Sequence, residues 1–117
     1  IAGEMVLELK ETFLNIKLIA VIPYEDFACS WSEEWRERYF DLLANVDDEV
    51  LLNHKYKSKC FKQRNGYLVK HAGHIIAVHN DGDNKSGTHQ TINMAKRRDR
   101  SIVIIEPKTL KVDRILS

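Results

Sequence analysis

Four short apolar runs constrain what this chain can fold into. Residues 18–22, 49–53, 75–78 and 101–105 are each dominated by Ile, Val, Leu or Ala. All are too short for a helix, and the first and last are stopped by proline, at Pro23 and Glu106-Pro107. Such runs read as short strands, the first of them buried on both faces. Between them the apolar residues recur at helical spacing. Met5, Leu9 and Phe13 predict a helix over 2–13. Trp35, Tyr39, Leu42, Leu43 and Val46 predict another that starts at Ser32, with Glu33 and Glu34 placed to favour the positive end of its dipole. Phe61, Tyr67, Leu68 and Ala72 predict a helix over about 58–72 that ends at Gly73. Thr91, Ile92, Met94 and Ala95 predict one that runs to about Arg98. Residues 110–116 are expected to form a short edge strand or an ordered tail.

Strict alternation of helices with apolar strands predicts an α/β fold: a mostly parallel sheet of about four or five strands with helices on both faces. At 117 residues the chain is long enough for one ordinary domain and too short for two, so a single domain over 1–117 is expected. Right-handed crossovers put the C-terminal ends of the strands on one edge, where ligands of such folds sit. The segments to inspect are therefore 23–30, 54–59, 79–88 and 106–109.

The strongest local signal is Asp81-Gly82-Asp83-Asn84-Lys85-Ser86-Gly87-Thr88, between a strand and a helix. Gly87 allows backbone to approach a ligand closely. Ser86 or Thr88 can cap the helix and offer a hydroxyl, and the first-turn N–H groups favour phosphate. The same residues also suit an ordinary strand-to-helix loop whose Ser and Thr are only caps. The segment is neither a Walker loop, since no Gly-Lys-Ser/Thr ending follows, nor an EF-hand, since Lys85 and Ile92 stand where ligands are required.

Charge sharpens this reading. The formal net charge of +1 provides no global field, but residues 25–49 hold nine acids against two arginines. Residues 51–80 then hold six basic residues (Lys55, Lys57, Lys59, Lys62, Arg64 and Lys70) and no acid. A positive field at the start of the third helix would favour anions, although a solvated basic face, or one meeting another copy's acidic segment, reads the same way. Lys96-Arg97-Arg98-Asp99-Arg100 falls at a helix end, where cations complement the dipole, so nucleic acid is not the expected partner. The histidines lack ligand-pair spacing, and no metal site is expected. Cys29 and Cys60 are 31 residues apart and fit a reduced, cytoplasmic protein. No run is long enough to span a bilayer, and no membrane partner is expected.

Residues 19–25 (Ile-Ala-Val-Ile-Pro-Tyr-Glu), Trp31, 34–39 (Glu-Trp-Arg-Glu-Arg-Tyr), 64–69 (Arg-Asn-Gly-Tyr-Leu-Val), 76–78 with Gly87-Thr88, and 104–107 (Ile-Ile-Glu-Pro) together resemble the YpsA-type branch of the SLOG superfamily. These are Rossmann-like proteins related to LOG phosphoribohydrolases and to the DNA-processing protein DprA. The resemblance covers almost the whole chain. It implies a three-layer α/β/α sandwich that binds a nucleotide or nucleotide-derived ligand. Arg64, Asn65, Ser86, Gly87 and Thr88 stand in matching positions, and Tyr24 and Glu25 border the same edge. Gly82 joins this set through the loop. The resemblance also implies an N-terminal strand-helix-strand unit with a Gly-rich phosphate turn. Residues 1–10 resemble the helix that follows it, so the chain is expected to be an N-terminally truncated version of the domain.

LOG hydrolases place glutamates just after the Gly-Thr pair, where this chain has His89, Gln90 and Thr91. Without a carboxylate to stabilise positive charge developing on the ribose, glycosidic hydrolysis is poorly supported. The expected function is thus binding or sensing of a nucleotide-like small ligand, with no catalytic residue and no required cofactor. The alternatives are an N-glycosidase acting on a nucleoside monophosphate, and an interaction module that has lost its ligand. Strand edges left bare by the missing unit predict self-association.

Overall fold

A computed structural model describes residues 2–80 and 82–116. The chain divides into two compact units, residues 1–60 and 61–117.

The first unit contains α1 (Ala2–Lys10), β1 (Ile19–Ile22), α2 (Glu33–Leu43) and β2 (Asp48–Leu51). Ser32 caps α2, its hydroxyl accepting from the Trp35 N–H at 3.5 Å, as the Ser-Glu-Glu start predicts. β1 and β2 pair in parallel, Ile19 opposite Asp48 and Ile22 opposite Leu51. Asp47 anchors that pair. Its carboxylate accepts from the Leu18 N–H at 2.7 Å and from Lys10 Nζ at 2.5 Å, and its own N–H donates to the Leu18 carbonyl. Glu4 pairs with Arg38, joining α1 to α2. A Cβ at Gly3 would lie 2.8 Å from Leu42, so glycine permits this close approach.

The second unit begins with α3 (Cys60–Lys70), whose first residue closes the preceding unit, followed by β3 (His74–Val78), α4 (Gly87–Arg97), β4 (Ser101–Ile105) and β5 (Val112–Ile115). β4 pairs in parallel with β3 and antiparallel with β5, so the order is β3-β4-β5 and β3 is an edge. The core consists of Val69, Ile92, Ala95 and Ile102, with Ile75, Ala77, Met94, Ile104 and Ile115 packed against it. Burial of a side chain such as Ile102 contributes about 1.5–3 kcal/mol. Arg100 ties the end of α3 to this core, donating to the Val69 and Lys70 carbonyls at 3.1 Å each. A cation is favourable at that helix end.

Three sequence expectations change. The strands do not form one sheet of four or five: they pair as two separate sheets, one of two strands and one of three. Apolar runs mark where strands are, but pairing is non-local and is not encoded in the runs themselves. Second, β1 is not buried on both faces: Ile19 is 53% exposed, and of its four residues Ile22 is the buried one. In β3 only Ile75 and Ala77 turn to the core, while Ile76 is 74% and Val78 59% exposed. In this unit Ile75 and Ala77 pack against the core that Val69 of α3 and Ile92 and Ala95 of α4 contribute to. Third, Gly73 does not adopt a left-handed cap: α3 ends at Lys70, and no glycine among the described residues has positive φ. The tail does form a strand, β5, antiparallel to β4.

Candidate functional site

The C-terminal end of β3 leads through residues 79–86 into α4, and this connection carries most of the polar geometry. Asp83 Oδ1 accepts from the N–H groups of Lys85 and Ser86, both at 3.0 Å, which fixes the turn before the helix. A hydrogen bond with the Ser86 side chain, then the Lys85 N–H, holds the Asp83 carboxyl below the usual carboxylate range. Ser86 is the N-cap, its hydroxyl accepting from the His89 N–H at 3.1 Å. Its carbonyl accepts from the Gln90 N–H. Among the described residues the Gly87 and Thr88 N–H groups have no acceptor, so two of the first-turn donors point outward unpaired.

Across from this helix start stand Arg64 and Asn65 of α3. Arg64 Nε donates to Asn65 Oδ1 at 2.9 Å, and a Cβ at Gly87 would lie 3.8 Å from Asn65 Nδ2. These residues line one end of a cleft of about 690 Å³. The rest of its wall is mostly apolar, from Leu68, Val69 and Ala72 of α3 to Ile75, Ile76, Ala77 and Val78 of β3, with His74 at the start of that strand. Thr91 lines it too, its hydroxyl donating to the Gly87 carbonyl at 2.8 Å. Among the described residues the lining contains one guanidinium and no carboxylate.

Of the residues expected at the site, Arg64, Asn65, Gly87 and Thr88 line this cleft, and Ser86 caps the helix beside it. Gly82 is exposed in the connecting loop, its N–H 3.4 Å from Asn80 Oδ1. Tyr24 and Glu25 belong to the other unit. There the Tyr24 ring meets Phe27 and Tyr56 edge-on at 5.9 and 5.4 Å, and Glu25 lies 3.6 Å from His54 Nδ1. Of the basic residues in 61–80, Lys62, Arg64 and Lys70, it is Arg64 that lines the cleft. Glu106, on another edge segment singled out from sequence, faces inward. It is 6% exposed and accepts from the N–H groups of Lys108 and Thr109 at 2.6 and 2.8 Å.

Two features were not anticipated. Thr91 enters the cleft one helical turn after Gly87, a spacing that could have flagged it. His79 and His89 stack at 5.5 Å beside the loop, His89 Nε2 lying 3.1 Å from Asn93 Nδ2 and His79 Nε2 buried with no hydrogen-bond partner among the described residues. Scattered sequence positions gave no sign of that pair. Among the described residues no group of three or more His, Cys, Asp or Glu could hold a metal, and no helix is long and apolar enough to cross a membrane.

A parallel strand-helix-strand crossover, with the helix opening beside a cleft at the strand end, is the arrangement of a Rossmann-like α/β protein. The sequence profile of one such family, YpsA (YspA SLOG family), matches residues 1–110, and the chain belongs to that family. It is 26% identical over 101 residues to the UPF0398 protein YpsA of Bacillus subtilis (strain 168), an alignment that covers 85% of this chain and 56% of that protein. A UPF0398 protein of Bacillus licheniformis is 29% identical over 117 residues, with 95% of this chain and 63% of the relative covered. One from Bacillus pumilus is 31% identical over 79 residues, with 66% and 42% covered. The chain thus spans between 42% and 63% of the length of these relatives.

Proposed function

We propose that this chain binds a phosphate-bearing nucleotide or nucleotide-derived ligand at the polar end of the β3 cleft. The carrying observation is the convergence of Arg64 and Asn65 from α3 with the unpaired Gly87 and Thr88 N–H groups of α4 around one opening. A guanidinium offers a fork of donors to phosphate oxygens. A helix start adds N–H groups and the positive end of a dipole. The apolar remainder of the cleft suits a base or ribose face. Family membership supports a Rossmann-like site at this strand end. Hydrolysis is not part of the proposal, because among the described residues the cleft lining offers no carboxylate to act as acid or to stabilise a sugar cation.

A thermal-shift titration with AMP, ADP-ribose, NAD and cyclic nucleotides, run beside inorganic phosphate, tests the reading. At least one nucleotide should raise Tm in a saturable manner, and Arg64→Ala should lower the affinity roughly tenfold or more, in line with a charge-assisted contact of about 1.5–3 kcal/mol. No stabilisation by any of them, or an unchanged titration in Arg64→Ala, would overturn it. Free base released from AMP would instead point to a glycosidase.

A further inference from the structure

We propose a second ligand site, on the far side of α3 from the β3 cleft, that takes a phosphate monoester carried on a flat ring. A groove of about 400 Å³ runs between the C-terminal halves of α3 and α4. Gly66, Tyr67 and Lys70 form one wall and Met94, Arg97 and Arg98 the other, all within the second unit. The helical repeat of about 3.6 residues sets Gly66 and Lys70 opposite Arg64 and Leu68, so α3 separates this groove from the first cleft. Three cations therefore meet in one lining that, among the described residues, holds no carboxylate. Lys70, Arg97 and Arg98 have no ion pair among the described residues, and the neighbouring acid, Asp99, stays out of the lining.

Capping does not account for these cations. The last carbonyls of α3, on Val69 and Lys70, already accept from the Arg100 guanidinium. Those of α4 are met by backbone: Met94 and Ala95 accept from the Arg98 N–H, Ala95 also from Arg100, and Lys96 from Asp99. The three side chains in the groove are left over for something else. Gly66 points the same way. It sits mid-helix, where glycine is a poor choice, without positive φ and with nothing within 4 Å of a Cβ, so packing does not demand it. What glycine does there is leave the groove open. Two guanidiniums and an ammonium suit a phosphate monoester of charge about −1.5 to −2 better than a single carboxylate. Tyr67, braced by the His71 ring at 4.2 Å, and the pliable Met94 offer surface to a flat ring. The cations gather at one opening instead of following a line, which suits one phosphate and not a nucleic-acid backbone. The site does not depend on the reading of the first cleft.

Amide NMR spectra of the full chain, titrated with naphthyl phosphate, read the two sites separately. The signals of Gly66, Tyr67, Lys70, Met94, Arg97 and Arg98 should shift in a saturable manner, whatever those of Gly87 and Thr88 do. Inorganic phosphate and naphthoate should each bind there at least roughly fivefold more weakly, since each lacks one part of the ligand. The surface double variant Arg97→Ala with Arg98→Ala should weaken the response by roughly tenfold or more. Gly66→Leu should fill the groove and abolish it while leaving the remaining spectrum folded, and the arginine variant decides the matter if the leucine disturbs α3. Absence of saturable shifts at the groove residues, equal binding of inorganic phosphate or naphthoate, or a double arginine variant that responds like wild type would each overturn the proposal.

Discussion

Gly87 faces Asn65 across the mouth of the cleft, with 3.8 Å between the Asn65 amide nitrogen and the point a Gly87 Cβ would occupy. That distance admits a methyl group without strain and nothing much larger. Gly87 does not have positive φ, so its value lies in the space it leaves rather than in backbone freedom. Gly87→Ala should therefore match or exceed the wild-type Tm, since alanine is the better helix former by about 1 kcal/mol in a helix interior and by less at an end. It should keep nucleotide affinity within roughly threefold, about 0.65 kcal/mol. Gly87→Leu should keep the fold and lose the ligand-induced Tm shift. Retention of the full shift in Gly87→Leu would place the ligand elsewhere.

Arg64 and Asn65 are neighbours in sequence and also hydrogen-bonded through their side chains, at 2.9 Å. Asn65 thus acts on phosphate partly by holding the guanidinium in place. Asn65→Ala should weaken nucleotide binding by roughly threefold to tenfold, the range of one ordinary hydrogen bond. Combining it with Arg64→Ala should add little, because the first change works through the second residue. Isothermal titration of the two single variants and the double variant measures the coupling. Full additivity would mean that Asn65 acts independently of Arg64.

Glu106 links pH to stability. The Thr109 N–H foremost, then the Lys108 N–H and the Thr109 hydroxyl, hold its carboxyl below the ordinary value of 4.5. The folded state therefore binds this proton less tightly than the unfolded one. The contribution to stability is complete above 4.5 and is lost as pH falls through the lower folded value. Glu106→Gln keeps the shape and one acceptor oxygen but loses the charge. It should melt below wild type at neutral pH, and the gap should close in acid. A gap that stays constant down to acid pH would show that Glu106 acts only through its shape.

What the sequence disclosed, and what it withheld, divides along physical lines. Local signals were legible: the Ser32 and Ser86 caps and the span of β4 follow from short-range chemistry, whereas the grouping of Arg64 and Asn65 with Gly87 and Thr88 came from the family resemblance. Partner choice was not. Ile75-Ile76-Ala77-Val78 reads as one apolar run, yet it is Ile75 and Ala77 that pack against the core, an alternation the run itself does not show. Lys62 and Lys70 share α3 with Arg64 and yet stay out of the cleft lining, because composition counts charges without directions. The stacked pair His79 and His89 was invisible, since ten residues and a loop separate them.

Leu110 has φ 59°, a left-handed conformation that costs a branched, non-glycine residue about 1–2 kcal/mol. The surrounding turn imposes it. The Leu110 N–H donates to the Glu106 carbonyl at 2.8 Å, and the Glu106 N–H donates to the Lys111 carbonyl at 2.9 Å, so the backbone must reverse at that point to bring β5 against β4. The side chain returns little, being 72% exposed. Leu110→Gly removes the clash of Cβ with the backbone, at an opposing entropic cost of about 0.5–1 kcal/mol in the unfolded chain. The balance favours glycine by roughly 0.5–1 kcal/mol, which should raise Tm by a few degrees in a chain of this size. Leu110→Val is the counter-test, because a β-branched residue tolerates the left-handed region least and should lower Tm. If calorimetry ranks glycine below leucine, the turn is not under strain in solution, and β5 does not need a left-handed residue to reach β4.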